Sequence, residues 1–225
     1  GDARATAYAL TALGRLQLLR GEPTALGPLD AACAAASAIG WTAFLPFPRA
    51  LLAEVWLAAG DLGAAGAAFD HAYALACQVG DPCWESYSLR GRGLVAAAQG
   101  ADDLALELLV EAPTACRRIR DAHDWVEGHC LDALCRFAVS RGLAEAPAWV
   151  DELEDFAARR GLRELVARAA LHRSALGQTG AANLVAVLVG DRGNPLLDGP
   201  MRGDGSTTPS SRSQESRGRL GRSAV

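Results

Sequence analysis

The sequence predicts an all-α fold, an α-solenoid of about five antiparallel helix pairs, and three observations carry that prediction. Composition is the first: of 225 residues, 47 are alanine and 32 leucine, whereas valine and isoleucine together number 14. Alanine and leucine lose little on entering a helix, and β-branched residues favour strands. The second is a register of glycines, Gly21, Gly60, Gly100, Gly142 and Gly177, separated by 39, 40, 42 and 35 residues. Each ends an apolar-periodic stretch, as a helix C-cap does between antiparallel helices. The third is small residues at fixed offsets from those caps. Gly14, Ala53, Gly93, Cys135 and Ala170 precede them by seven positions, and Leu26, Ala65, Ala105, Pro147 and Ala182 follow by five. Such residues let the two helices of a pair approach closely, and a unit of this kind buries its apolar face only by stacking on its neighbours.

Taken in order, the first unit predicts helices over 3–20 and 23–39, with Pro23 near the second helix start and Gly40 closing it. The second unit predicts 47–59 and 61–79, closed by Gly80. The third predicts 83–99 and 101–119, with Pro82 at the entry, where a missing N–H costs nothing, and Arg120-Asp121 as the closing break. The fourth predicts 122–141 and 143–160, with Pro147 near the second start and Gly161 at its end, and the fifth predicts 162–176 and 179–190. From Asp191 the composition changes: residues 191–225 contain six Gly, three Pro, six Ser and two Thr, and no aromatic. That stretch cannot bury enough apolar surface to offset its ordering entropy, so the division is a repeat domain over 1–190 and a disordered Gly/Ser/Arg-rich tail over 191–225.

The second unit, with Leu52-Ala53, Trp56, Gly60, Ala65, Phe69 and Ala72, resembles a tetratricopeptide repeat. The third keeps Gly93, Gly100, Ala105 and Ala112 of that pattern but has Ala96 where an aromatic is usual. Units one, four and five match in part, with Asp30 and Asp151 where unit two has Phe69. A unit near 40 residues resembles the longer repeats in the C-terminal sensor arms of large ATP-binding bacterial transcription regulators of the LuxR and antibiotic-regulatory types. The run Gly80-Asp81-Pro82-Cys83-Trp84, the stretch 157–169, Leu171-His172-Arg173 and Asn194-Pro195-Leu196 resemble the end of such arms. The resemblance covers about residues 3–197 and implies a right-handed superhelix whose first helices line a concave groove. Neither a GxxxxGK[ST] phosphate loop nor a terminal helix-turn-helix is present, so ATP and DNA binding are not carried over.

Charge and cysteine usage narrow the function classes. The formal net charge is −4, and all 22 basic residues are arginine. There is no bulk electrostatic case for nucleic acid binding through this segment. Gly1 opens the chain and the only methionine is Met201, which points to a piece of a longer protein. No basic stretch followed by an apolar core opens it, so no signal peptide is expected. The longest uncharged run, Ala31 to Pro48, contains Gly40, Pro46 and Pro48 and reads as a helix end plus a loop rather than a membrane span. Six cysteines without a CxxC spacing read as reduced core thiols of a cytoplasmic protein.

His123, His129, Cys130 and Cys135 are the densest set of metal-ligand types, but 129 and 130 diverge by about 100° on a helix. They read as core cysteines and surface histidines, with no metal and no cofactor. Asp102-Asp103 and Asp151-Glu152-Glu154-Asp155 read as acidic first turns favoured by the helix dipole. Trp41, Trp84 and Trp125, spaced 43 and 41 residues apart, read as packing between units.

By offset from the cap glycines, the implied groove displays Tyr8, Arg15, Glu54, Tyr87, Arg90, His129, Asp132 and Arg136. Aromatic and arginine side chains are common anchors of recognition surfaces. Arg90 and Arg136 should project into the groove from adjacent units, with neither required by the repeat core. The expected function is therefore a protein-interaction or effector-sensing module, not an enzyme. Its ligand is a protein or peptide in the groove, or an upstream domain of the parent chain, with no membrane involved. Two other readings are a freestanding adaptor and an all-α enzyme whose pocket uses His123, His129 and nearby acids.

Overall fold

The computed structural model describes residues 2–121 and 123–178. The described residues form helices and short connections, with no strand among them. In chain order the helices are α1 (Ala3–Leu19), α2 (Leu26–Ala38), α3 (Pro46–Ala58), α4 (Leu62–Val79), α5 (Pro82–Ala98), α6 (Asp102–Cys116), α7 (Asp124–Arg141), α8 (Ala146–Arg160) and α9 (Arg163–Ala175). Short 3₁₀ turns at Pro23–Ala25 and Thr42–Phe44 lead into α2 and α3. The helix expected over 179–190 and the tail expected over 191–225 lie outside the described residues.

Local sequence explains the boundaries. All eight break glycines from Gly21 to Gly177 have positive φ. Gly80 shows why: at φ 68° and ψ 39° its N–H reaches back to carbonyls of the last turn of α4, a left-handed cap that costs a residue with a Cβ strain. The next helix then starts at once. Asp81 accepts from the N–H groups of Cys83 (3.0 Å) and Trp84 (3.3 Å) and Pro82 occupies the first turn of α5. Asp61 caps α4 in the same way, accepting from Ala64 N–H at 2.9 Å.

Close packing holds each pair together. A Cβ on Gly14 would lie 2.4 Å from Leu29 Cγ, and one on Gly93 would lie 2.8 Å from Leu109 Cγ. Ala53, Cys135 and Ala170, at the same offset, are buried, as are Ala65 and Ala105 on the facing helices. At that second offset Leu26 is only half-buried and Pro147 is exposed. The 42-residue spacing between Gly100 and Gly142 does not set the register of α8; its buried first residue is Ala146. The acidic run 151–155 corrects the expectation in another way. It lies in the middle of α8, where Glu152 pairs with Arg117 (2.7 Å) and Asp151 and Glu154 pair with Arg173.

The largest core cluster runs from Leu29 and Leu51 through Phe69 and Trp84 to Val126, and a second is built on Leu131, Val150, Leu153 and Phe156. Each helix packs on the next, and each first helix (α1, α3, α5, α7, α9) also touches the next first helix. Among the described residues the second helices α2, α4, α6 and α8 make no such contact with one another. The first helices therefore form the inner layer of a curved stack, and their free faces line its concave side. Ala31–Pro48 spans the end of α2, a turn and the start of α3. Among the described residues no helix is long and apolar enough to cross a membrane.

Candidate functional site

The free face of the inner layer is a band of aromatic and charged side chains. Phe47 at the start of α3 stacks on Trp84 of α5, centroids 4.4 Å apart, and Trp125 of α7 lies 6.0 Å from Phe47 and from Trp84 and 5.5 Å from Tyr87. The tryptophans at 84 and 125 thus join units, as their spacing predicts. Trp41 stacks on Phe44 at 4.2 Å at the junction of the first two units.

Arg90 sits at the centre of the band. From α5 its Nη1 donates to Glu54 Oε1 on α3 at 2.7 Å, and its Nε donates to the His129 carbonyl on α7 at 3.2 Å. Its guanidinium also lies 5.1 Å from the Tyr87 ring centre. Tyr87 also favours the charged form of Glu54. Burial alone would raise the Glu54 carboxyl, but Arg90 and Tyr87 bring it below the ordinary range. The same burial and the Glu54 charge push the Tyr87 phenol well up, so it stays neutral. Glu54, Tyr87, Arg90 and His129, four residues selected from the sequence, therefore form one connected unit. Arg90 ties three first helices together, which corrects the expectation that the core does not require it.

Asp132 and His129 belong to the next unit along. Burial and then the Arg90 charge push the His129 imidazole down to about 4, so it is neutral at physiological pH. Asp132 is buried and accepts from His172 Nε2 at 2.8 Å and Arg168 Nη1 at 3.2 Å, both from α9. Burial opposes its ionisation, but the His172 hydrogen bond and Arg168 overcome this and hold the carboxyl low. Arg168 also donates to Glu164 at 2.9 Å. His172 Nδ1 is buried without a partner among the described residues.

Three of the sequence-selected residues remain. Arg15 of α1 lies 4.1 Å from the Trp125 ring centre, so it reaches across from the first unit to the fourth. Tyr8 stands apart at the N-terminal end, 60% exposed and 5.8 Å from Phe44. Arg136 of α7 is half-buried and has no ion pair or hydrogen bond within the described residues, with Arg90 and Arg168 as like-charged neighbours and Asp132 as its nearest attraction. Desolvation pulls its guanidinium down from the usual range.

Sequence reasoning missed Arg168, Phe47 and the Asp132–His172 pair. The signal available was α9 itself, whose Arg168 and His172 sit four residues apart and therefore share a face. His123 is exposed beside Trp84, and His129 lies on the groove beside Trp125. Among the described residues no three His, Cys, Asp or Glu side chains converge as a metal-ligand set.

No protein-family model matches the chain, and no curated protein matches it. Solved structures do. A crystal structure of a Podosopora anserina protein described as a kinesin light chain with nearly identical TPR-like repeats is similar at TM-score 0.54. It covers 84% of this chain and 96% of that one at 16% identity. Its Q17M variant is similar at TM-score 0.55, covering 84% and 95% at 16% identity. The fold is a tetratricopeptide-like α-solenoid. At this identity the likeness concerns architecture alone, and solenoids of this kind present extended concave surfaces on which partners are bound.

Proposed function

We propose that the chain is a protein-interaction module whose concave groove takes an acidic segment of a protein partner, with Arg136 as its principal anion contact. The observation that carries this reading is the asymmetry among the groove arginines. Arg15 stacks on Trp125, Arg90 pairs with Glu54, and Arg168 is held by Glu164 and Asp132, whereas Arg136 makes no ion pair within the described residues. A half-buried guanidinium that makes no ion pair within the described residues has a fork of donors to offer, which suits a carboxylate side chain or a chain terminus. Trp125, itself half-buried, supplies an aromatic surface on the same helix for the apolar part of a peptide.

An array of short peptides containing Asp or Glu, titrated against the chain with Trp fluorescence as readout, tests the reading. Acidic peptides binding at least tenfold more tightly than their amide counterparts support it; equal binding of both overturns it.

We further infer that this module serves as the sensor arm of an ATP-binding transcription regulator. The unit length near 40 residues and the run Gly80-Asp81-Pro82-Cys83-Trp84, here a left-handed cap followed directly by a capped helix, support that reading. Its mechanism is occupancy of the groove biasing a neighbouring domain. The coding sequence upstream of residue 1 is the test: a phosphate-loop ATPase supports it, and a start codon or an unrelated domain leaves a freestanding adaptor instead.

A further inference from the structure

We propose that Cys83 and Cys116 form an oxidisable dithiol, a site at which a peroxide links the start of α5 to the end of α6 through a reversible disulfide. The pairing of α5 with α6 brings the second residue of one helix against the last residue of the other, and the two Sγ atoms lie 3.6 Å apart. All six cysteines are free thiols, and five are buried. The neighbouring buried thiol, Cys130, contacts Ser86 instead, its Sγ 3.2 Å from Ser86 Oγ, while Ser86 Oγ donates to the Ala112 carbonyl at 2.6 Å.

The two sulfurs are unequal in a way that suits the chemistry. Cys83 stands in the first turn of α5, where the helix dipole favours a negative charge, and it receives the backbone N–H of His123 at 3.4 Å. The Cys116 thiol donates to it, and despite the opposing effect of burial the Cys83 thiol comes down to about 7. Cys116, by the same hydrogen bond and by burial, is held in the thiol form. His123 is an exposed residue in direct contact with Cys83 Sγ, so the sulfur lies one residue beneath the surface although it is itself 1% exposed.

The reaction balances with hydrogen peroxide as the oxidant. The Cys83 thiolate attacks one peroxide oxygen, the O–O bond breaks, and Cys83 sulfenic acid and hydroxide form. The Cys116 sulfur then attacks the Cys83 sulfur, the S–O bond breaks and the thiol proton goes to the departing hydroxide. The hydroxide of the first step takes up the proton that Cys83 released on ionising, so one S–S bond and, in total, two waters result; the thiol pair has lost two electrons and the peroxide has gained them.

The test is peptide mapping of the full chain after graded hydrogen peroxide, with free thiols blocked by iodoacetamide and no reductant added. Cys77, the exposed thiol, shares a tryptic peptide with Cys83, so the mapping is run on C77S as well as on the unmodified chain. The expected result is one linkage, Cys83 to Cys116, with loss of two thiols, reversal by dithiothreitol and capture of a Cys83 sulfenic acid by dimedone in C116S. Cys83 and Cys116 both remaining alkylatable, once the chain is denatured, after doses that oxidise Cys77 would overturn the proposal. So would linkages through Cys33, Cys130 or Cys135 in its place. If C116S does not fold, the linkage map of C77S decides alone.

Discussion

Arg15 and Trp125 face each other across the groove, guanidinium to indole at 4.1 Å, although they belong to the first and fourth helical units. This contact narrows the concave surface at one point, and Arg136 lies further along α7. Arg15→Ala therefore should widen access to the groove without altering the fold. A cation over an indole contributes about 0.5–2 kcal/mol, the upper figure only when desolvated. We expect a small loss of stability, near the low end, and a shift of Trp125 emission, both measurable by fluorescence during urea unfolding.

Arg90→Ala should behave quite differently. It strips the cation from Glu54, a mostly buried carboxylate at 17% side-chain exposure, and breaks the link to the His129 carbonyl. Removing one member of a buried pair costs about 3–5 kcal/mol, because the remaining charge is stranded. The midpoint of urea unfolding should fall markedly. Combining it with Glu54→Gln should recover part of the loss; strict additivity would show that the pair is not coupled.

Acid should weaken the fold through His129 before it does so through the carboxylates. The folded imidazole titrates at about 4, below its ordinary 6.5. Between those values the unfolded chain binds more protons than the folded one, so stability rises with pH across the window and is lost on going down through it. A shift of that size corresponds to about 3 kcal/mol at most. Glu54, also held low, adds its loss only below its ordinary 4.5. His129→Gln should flatten the dependence of unfolding free energy between pH 6.5 and 4.5, as read from urea titrations at fixed pH.

Overpacking tests the helix register. A Cβ on Gly91 would lie 2.0 Å from the Phe69 ring, and Ala65 and Ala105 are fully buried between paired helices. Gly91→Ala should cost about 1–3 kcal/mol and be relieved by Phe69→Leu, while Ala65→Trp or Ala105→Trp should exceed that cost. Unchanged melting temperatures would contradict the register.

The architecture was legible because its punctuation is local. Gly21, Gly60, Gly80 and the other caps occupy backbone conformations that a side chain disfavours, and nothing distant is needed to read them. The same offsets misplaced Pro147, since α4 and α6 start two residues after Gly60 and Gly100, whereas α8 starts at Ala146, four after Gly142. For the groove, helical offset selected Glu54, Tyr87, Arg90 and His129, which do meet. Offset cannot say which charges neutralise one another. Arg90 was read as available and is tied to Glu54, and Asp132 takes its partners from α9, in the unit that matches the repeat pattern only in part. Those pairings depend on side-chain reach between units, which no spacing in the sequence records.

The central claim is that Arg136 is the groove's free anion contact, and the most direct measurement is the affinity of Arg136→Ala for an acidic peptide that the unmodified chain binds. Because Arg136 has Arg90 and Arg168 as like-charged neighbours and no ion pair within the described residues, its removal should leave the melting temperature unchanged or raised while weakening binding at least tenfold. Arg136→Lys should recover only part of that loss, since an ammonium lacks the planar fork. Undiminished affinity in a folded Arg136→Ala protein would contradict the account.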